Sequence, residues 1–280
     1  LSFFGGMGAI SRAGMIAKGG VALENLAKAT VAVFDKTGTL TTGEFRVTRV
    51  ESKETTEQEL LSLVAAAEAA SSHPIARAIV QAAGEHGRSA QQVEELPGYG
   101  VRAQVDGKEI CVGNRRMLNK ANLETNLEDQ GGTAVYAMVD GAYAGCIFLE
   151  DTVKSTAKEA LQSLSKLGIR DTVMLTGDRE HAASAAAKEL QITRWFSGLL
   201  PQDKVTKMQE LQKSGDCLIF VGDGVNDAPV LALSDVGVAM GGIGSDAAVE
   251  AADLVLLRDD LRGLPRAISI ARHTMAIAKQ

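Results

Sequence analysis

Four short apolar runs, each ending in a polar turn rich in glycine, constrain the fold of this chain most strongly. Residues 31–34 lead into Asp35-Lys-Thr-Gly-Thr, and later runs lead into Thr176-Gly-Asp, Gly222-Asp-Gly and Gly241-Gly-Ile-Gly. Such runs are typical of buried strands, and helical patterns lie between them. The sequence therefore predicts βαβ units and an α/β domain built on a parallel sheet covered on both faces.

The predicted strands cover residues 31–34, 172–175, 217–221, 236–240 and 254–257, and the predicted helices cover residues 153–167, 180–190, 204–213 and 228–233. In an open α/β sheet, ligands bind beyond the carboxyl ends of the strands. The polar turns are therefore expected to converge on one site, although they lie far apart in sequence.

The stretch from residue 43 to residue 150 interrupts this alternation. Two helical segments, 57–70 and 74–84, precede alternating segments at 100–105, 109–112, 134–139 and 142–149. Asp106-Gly107 and Asp140-Gly141 lie between such segments and are expected to form hairpin turns. The stretch is therefore predicted to be an inserted α+β domain with an antiparallel sheet.

Composition excludes several classes of function. The 29 Lys and Arg against 35 Asp and Glu give a net charge of −6, which argues against a nucleic-acid-binding or anionic-membrane surface. The 3 cysteines lie far apart without a Cys-x-x-Cys pair, so neither a disulfide framework nor a zinc ribbon is indicated. No run approaches the roughly 20 apolar residues of a membrane-spanning helix.

Asp35 carries the most specific chemistry in the chain. A carboxylate at the carboxyl end of a strand can attack phosphorus and give an aspartyl phosphate, and Gly38 allows a tight loop around the phosphoryl group. Many acid hydrolases with this layout have a second Asp two residues later as acid/base, where this chain has Thr37. Hydrolysis of the acyl phosphate is therefore expected to be slow. The alternative is an ordinary strand end followed by a polar turn.

Other polar residues are candidates for holding a phosphoryl group and a metal. Asp223 and Asp227 lie 4 residues apart across a strand-loop-helix turn and suit Mg²⁺ as hard oxygen ligands, although a glycine-rich helix entry capped by Asp explains them as well. Thr176 and Gly177 offer a hydroxyl and backbone amides at another strand end. Lys204 is a candidate phosphate clamp only because it lies between the two phosphate-type loops, since a lone lysine is usually a solvated surface charge.

The insert contains weaker candidates. His73 could stack on a purine base or hydrogen-bond to it, although a single His before Pro is usually a helix-entry residue. Gly98 and Gly100 allow close backbone approach to a ligand, but the segment leads into a strand and lacks the last glycine of a dinucleotide fingerprint. Asn114 supplies a side-chain amide in a turn. Residues 42–44 are interpreted as a connection into the insert.

The motifs at Asp35-Lys-Thr-Gly-Thr-Leu-Thr, Thr176-Gly-Asp and Gly222-Asp-Gly-Val-Asn-Asp-Ala-Pro resemble, in this order, the phosphorylation domain of P-type ATPases. Ser72-His-Pro with Glu68 5 residues before the His, Gly98-Tyr-Gly and Val112-Gly-Asn resemble the heavy-metal-transporting branch, which often has Glu where this chain has Ser72. Phe3-Phe-Gly-Gly is more similar to zinc and cadmium pumps than to copper pumps. The resemblance implies a haloacid-dehalogenase-like phosphorylation domain split by a nucleotide-binding domain, with ATP and Mg²⁺ as cofactors.

The resemblance also implies a role for each matching position. Asp35 is implied as the phosphorylated residue, with Lys36 in the same catalytic loop. The remaining roles are Mg²⁺ binding by Asp35, Thr37, Asp223 and Asp227, phosphate binding by Thr176, Gly177 and Lys204, a supporting loop network of Asp178, Asn226 and Asp227, and ATP binding by Glu68, His73, Gly98, Gly100 and Asn114.

The resemblance further implies a longer protein with an actuator domain and a membrane domain that binds the transported metal ion. Residues 1–20 and 263–280 are then membrane-proximal, 21–42 and 151–262 form the phosphorylation domain, and 43–150 form the nucleotide-binding domain, on the cytosolic side of a plasma or inner membrane. The start at Leu1 and the uncapped helical pattern over 264–280 are expected to be ends of truncated helices, and a docked helix is the alternative for residues 1–10.

Two other functions stay open on the residues alone. A soluble Mg²⁺-dependent phosphatase with a cap domain would share the sheet and the loops, but Thr37 speaks against it. A non-catalytic nucleotide-binding module is disfavoured because Asp35, Lys204 and Asp223 are all intact.

Overall fold

The computed structural model describes residues 2–123, 133–213, 215–223, 227–241 and 246–278 and divides into two compact units. The first unit contains Leu1–Thr42 and Val153–Gln280, and the second contains Gly43–Thr152. In the described part of the chain, no helix combines the length and the apolar character needed to cross a membrane.

In chain order the strands are β1 (Met15–Ala17), β2 (Val31–Asp35), β3 (Thr41–Ser52), β4 (Ala90–Leu96), β5 (Gly100–Val105), β6 (Lys108–Gly113), β7 (Thr133–Val139), β8 (Ala142–Val153), β9 (Asp171–Leu175), β10 (Arg194–Phe196), β11 (Leu218–Gly222), β12 (Val236–Met240) and β13 (Leu254–Leu256). The helices are α1 (Ser2–Arg12), α2 (Gly20–Lys28), α3 (Glu57–Glu68), α4 (Pro74–Ala83), α5 (Arg115–Lys120), α6 (Ser155–Lys166), α7 (Glu180–Leu190), α8 (Pro201–Gln212), α9 (Ala228–Leu233), α10 (Asp246–Ala251) and α11 (Gly263–Ala278).

The first unit is built on a sheet with the strand order β1-β13-β12-β11-β2-β9-β10. β1 pairs antiparallel with β13, and the other neighbours pair parallel. Every residue of β2, β11 and β12 is buried, because helices cover both faces of a parallel sheet. Successive side chains of β2 alternate between the faces, so that Phe34 packs in one core and Val33 in the other. The predicted α/β domain is confirmed.

The predicted elements of this unit agree with the structure except at some ends. α8 begins at Pro201, earlier than the predicted residue 204, because a proline is well tolerated in the first turn of a helix. The Asp203 carboxylate also caps this helix by accepting a hydrogen bond from the Leu200 N–H at 2.9 Å. At the start of the chain α1 packs against α11, where Gly6 lies against Thr274, as expected for a docked helix.

The second unit contains a sheet with the strand order β3-β8-β7-β6-β5-β4, in which the successive strands from β4 to β8 pair antiparallel. Helices α3 and α4 pack on this sheet through a core that includes Val64 and Ile79. Asp106 and Asp140 have φ of +52° and +49°, as the predicted two-residue hairpin turns require. The predicted α+β insert with an antiparallel sheet is confirmed.

Two strands of the second unit do not follow from the sequence pattern. Residues 42–44, interpreted above as a connection, lie inside β3, which begins directly after the Asp35 loop. β4 is largely exposed, and its pairing with β5 shifts register between Gln91 and Glu94. An exposed, irregular edge strand has no regular alternation of apolar and polar residues for the sequence to display.

Candidate active site

The parallel sheet of the first unit brings the carboxyl ends of β9, β2 and β11 side by side. Asp35 ends β2 and lies beside Leu175, the residue before Thr176. On the other side Phe34 lies beside Val221, which places Gly222 next to Asp35. Three of the predicted turns therefore meet at one edge, while residues 242–245 of the fourth lie outside the described part of the chain.

Lys204 forms ion pairs with two carboxylates at this edge of the sheet, those of Asp35 and Asp227. It lies in the first turn of α8, and its Nζ is 2.5 Å from Asp35 Oδ1 and 2.9 Å from Asp227 Oδ1. Asp35 and Asp227 are 6% and 2% exposed, so the ion pairs are shielded from water. Buried charges are retained when they are paired and hydrogen-bonded. The predicted clamp lysine therefore lies in the Asp35 site, and not on the surface.

The pKa values of the carboxylates in this site are shifted by burial and by the neighbouring charges. Burial and the nearby Asp227 raise the pKa of Asp35 to about 7, although Lys204 opposes the change. Burial and Asp227 likewise raise the pKa of Asp223, with Lys154 opposing. Burial would lower the pKa of Lys204, but Asp35 and Asp227 outweigh it and raise that pKa. The three carboxylates therefore carry more negative charge than Lys204 neutralises, as expected where a cation binds.

The donor set fits a divalent cation that prefers oxygen. One carboxylate oxygen each from Asp35, Asp223 and Asp227 lies within 4.8 Å of the others. Two glycines make room for them: a Cβ on Gly38 would lie 1.8 Å from Asp223 Oδ2, and a Cβ on Gly222 would lie 2.8 Å from Asp227 Oδ2. Carboxylates without nitrogen or sulfur ligands suit Mg²⁺.

A third ion pair links the Asp35 loop to the Thr176 loop. The buried Lys36 ammonium group forms an ion pair with Asp178. The buried Thr176 hydroxyl accepts a hydrogen bond from the Asp178 N–H at 3.0 Å. Gly177 is exposed, and a Cβ there would lie 3.2 Å from Leu199 O. Lys36 therefore fixes the position of the loop that carries the predicted phosphate-binding residues.

Two further predicted residues remain. Thr37 is exposed in the loop directly after Asp35. Asn226 lies outside the described residues.

Lys154 is a residue of this site that the sequence pattern did not indicate. It directly precedes α6 and is 5% exposed, and its Nζ is 2.6 Å from Gly38 O and 2.5 Å from Asp259 Oδ1. Gly38 lies 116 positions earlier in the chain, so no local pattern could have shown the contact.

In the second unit, Glu68 is the last residue of α3 and His73 directly precedes α4, the next helix. His73 caps α4 by accepting a hydrogen bond from the Ile75 N–H at Nδ1, at 3.2 Å, which leaves Nε2 exposed. Glu68 ends α3 half-buried, and burial together with Glu95 raises its pKa. His73 is thus the helix-entry residue of the alternative interpretation, and its outer nitrogen stays available to a ligand.

Gly98 and Gly100 have different structural reasons to be glycine. Gly98 has φ of +78° in a turn with open space around it. A Cβ on Gly100 would lie 1.9 Å from Val112 O, so the close approach predicted there is made by the chain's own strand β6. Asn114 connects this turn to α5: its Nδ2 donates to Gly98 O at 2.9 Å, and its Oδ1 accepts from the Arg116 N–H at 2.9 Å.

Known proteins match this chain across residues of both units. Residues 29–235 match the family model of haloacid dehalogenase-like hydrolases. The chain is 46% identical to the cadmium, zinc and cobalt-transporting ATPase of Bacillus subtilis (strain 168) over 100% of its own length and 41% of that protein. The chain therefore spans about two fifths of the length of this curated relative.

Two solved structures extend the comparison. A zinc-transporting PIB-type ATPase in the E2·Pi state matches with a TM-score of 0.86 and 38% identity, covering 100% of this chain and 47% of that one. The catalytic domain of the CPx-ATPase CopB-B matches with a TM-score of 0.76 and 32% identity, covering 94% of this chain and 98% of that one. The chain therefore belongs to the haloacid dehalogenase-like hydrolases and, among them, to the catalytic domains of heavy-metal-transporting P-type ATPases.

Proposed function

We propose that this chain is the ATP-binding and autophosphorylating catalytic unit of a heavy-metal-transporting P-type ATPase, with Asp35 as the phosphorylated residue. The observation that carries the proposal is the grouping of a buried Asp35 carboxylate with Lys204, Asp223 and Asp227. A nucleophile, a cation that offsets negative charge and a set of oxygen ligands for a metal are the parts that phosphoryl transfer to a carboxylate needs.

In the proposed reaction, a carboxylate oxygen of Asp35 forms a bond to the γ-phosphorus of ATP while the bond to the β-phosphate oxygen breaks. ADP leaves with that electron pair. Lys204 orients Asp35 and offsets the charge of the transferred group. Thr176 and Gly177 would bind phosphoryl oxygens, and Lys36, Asp178 and Asn226 would support their loops. Asp35, Thr37, Asp223 and Asp227 would hold Mg²⁺, which when bound neutralises phosphate charge.

Thr37 determines what happens after transfer. A threonine cannot take a proton from an attacking water as a second carboxylate would, so the aspartyl phosphate is expected to persist. This favours a phosphoenzyme intermediate over the phosphatase alternative.

ATP is proposed to bind to the second unit through Glu68, His73, Gly98, Gly100 and Asn114. The support is the exposed outer nitrogen of His73 and the open turn at Gly98, which Asn114 fixes. A free imidazole nitrogen can donate to an adenine ring nitrogen, and an imidazole face can stack on the base.

The first experiment incubates the chain with Mg²⁺ and ATP labelled at the γ-phosphate. An acid-stable, hydroxylamine-sensitive label is expected, absent in Asp35→Asn and retained in Asp106→Asn, whose carboxylate is 52% exposed. Rapid turnover of small phosphate esters without a stable label would instead favour the phosphatase.

The second experiment measures binding of a non-hydrolysable ATP analogue. His73→Gln is expected to weaken it about tenfold, equivalent to about 1.4 kcal/mol. His86→Gln is the matched control, because the His86 Nδ1 also accepts a backbone hydrogen bond at 3.2 Å. If neither the label nor the binding is found, the proposal is wrong.

For the whole protein we propose a membrane domain that carries Zn²⁺ or Cd²⁺ as substrate and an actuator domain that hydrolyses the phosphoenzyme, with this chain on the cytosolic side. The support is the name of the Bacillus subtilis relative and the zinc-transporting structure. ATPase activity of the full-length protein is expected to be stimulated by Zn²⁺ and Cd²⁺. Stimulation by Cu⁺ alone would overturn the choice of metal.

A further inference from the structure

Lys154 is a buried cation that the proposed reaction does not use. Its side chain is 5% exposed, and Asp259, its carboxylate partner, is 56% exposed. A buried ammonium group is costly unless its hydrogen bonds are satisfied. Because the Asp259 carboxylate is largely solvated, it does not explain why the lysine is buried. The other hydrogen bond of Lys154, to the carbonyl of Gly38, identifies the group that the lysine holds in place.

The Gly38 backbone lies close to the Asp223 carboxylate. Gly38 has φ of +75°, and a Cβ there would lie 1.8 Å from Asp223 Oδ2. Any shift of this peptide would therefore change the space available to the Asp223 carboxylate.

Lys154 holds the loop at two points. Its Nζ donates to Gly38 O at 2.6 Å, and its backbone N–H donates to Leu40 O at 2.9 Å. Both acceptors lie between Asp35 and the start of β3, so one residue fixes both the bend and the exit of the loop.

We propose that Lys154 is a positioning residue of the phosphorylation site: by holding the Gly38 peptide it keeps the Asp223 carboxylate close enough to Asp35 and Asp227 for the three to bind one divalent cation. The proposal rests on the proposed function for the identity of that cation. In the described contacts Lys154 forms no hydrogen bond with Asp35, Asp223 or Asp227, so its hydrogen bonds reach the site through the loop.

The test compares Lys154→Met, which removes the charge at similar length, with Lys158→Met, which removes an exposed charge from α6, the helix that Lys154 precedes. The first measurement is hydrogen exchange of the amides of residues 36–41 without metal or nucleotide. Lys154→Met is expected to speed this exchange about tenfold while the amides of β9 and β11 keep their protection. Lys158→Met is expected to change neither.

The second measurement is binding of Mn²⁺, a paramagnetic probe for oxygen-ligand sites. Lys154→Met is expected to raise the dissociation constant about tenfold, and Lys154→Arg, which keeps a charged donor, is expected to recover part of the loss. Lys158→Met should bind as the unchanged chain does. Lys154→Gln serves in both measurements if Lys154→Met does not fold.

The proposal is overturned if Lys154→Met leaves the exchange of residues 36–41 unchanged or leaves the Mn²⁺ affinity unchanged. A uniform rise in exchange across the first unit would also overturn it, because such a rise indicates a purely structural role. Neither measurement requires phosphorylation. Failure of the chain both to label with ATP and to bind the ATP analogue would therefore contradict the proposed function while leaving this test intact.

Discussion

Asp35 places a carboxylate in a buried site beside two like charges, and this sets how the stability of the metal-free chain depends on pH. Its pKa is raised from an ordinary 3.8 to about 7 by burial and by Asp227. Between these values the folded chain binds a proton that the unfolded chain has released. Stability therefore falls as the pH rises through this range, and the penalty is complete above about pH 7.

Asp35→Asn is accordingly expected to stabilise the chain in the presence of EDTA at pH 8, by about 1 to 3 kcal/mol. The gain stays below the full linkage value because Asn also weakens the contact with Lys204. It should shrink steadily as the pH falls to about 3, below the ordinary pKa of 3.8, where Asp35 is protonated in both states. Urea unfolding at a series of pH values measures it. A difference between the two chains that does not vary with pH would contradict the assignment.

Substitution of Gly38 tests whether its close approach to Asp223 is essential for metal binding and phosphorylation. Gly38→Ala adds a methyl group that would lie 1.8 Å from Asp223 Oδ2, at a backbone φ of +75°. It is expected to abolish Mn²⁺ binding and phosphorylation and to cost about 2 to 4 kcal/mol in unfolding free energy, from strain and from displacement of the loop.

Gly43→Ala is the matched control for Gly38→Ala. Gly43 has nearly the same φ, +73°, but a Cβ there meets nothing within 4 Å. The backbone strain alone should cost about 1 kcal/mol and leave Mn²⁺ binding intact. Equal losses in both variants would show that conformational strain, and not the Asp223 contact, explains the requirement for glycine.

At the scale of elements, Arg272 of α11 connects three segments of the first unit. Its guanidinium group donates to Ala27 O at 3.2 Å and Ala29 O at 3.3 Å at the end of α2, and to Leu167 O at the end of α6. The last carbonyls of a helix have no partner within the helix, and a cation near them is favourable. Arg272 thus caps two helix ends at once.

Arg272→Ala is expected to lower the unfolding free energy by about 2 to 3 kcal/mol, because it removes hydrogen bonds from a charged donor. Arg266→Ala, an exposed position on the same helix, should change it by less than about 0.5 kcal/mol. Urea denaturation of both variants measures the difference. A loss no greater for Arg272 than for Arg266 would exclude the capping role.

The elements that sequence alone predicts are those with a strong local pattern. β2, β9, β11 and β12 are continuous apolar runs, and the two Asp-Gly hairpins need residues that accept positive φ. β1 and β10 have 3 residues each, too few to show a period. Their strand conformation depends on the neighbours β13 and β9, which lie far away in sequence.

The same distinction applies to the candidate site. Asp35, Asp223 and Asp227 follow from sequence because Asp35 ends a parallel strand, Asp223 directly follows one and Asp227 opens the next helix. The topology therefore brings the three together. Lys154 does not, because its partner Gly38 is close only after folding. A buried lysine has no local pattern that distinguishes it from an exposed one.

At the scale of the whole molecule, the division into two units predicts that residues 43–152 fold alone. The unit has its own apolar core, and Gly43 N–H donates to Asp151 Oδ1 at 3.0 Å, so its two ends are adjacent. The segment should unfold in urea in one cooperative transition. Val64→Asp, at a fully buried position, should abolish that transition, whereas Val93→Asp, 43% exposed, should not. In the full chain Val64→Asp should leave Mn²⁺ binding by the first unit intact, and loss of that binding would show that the units fold as one.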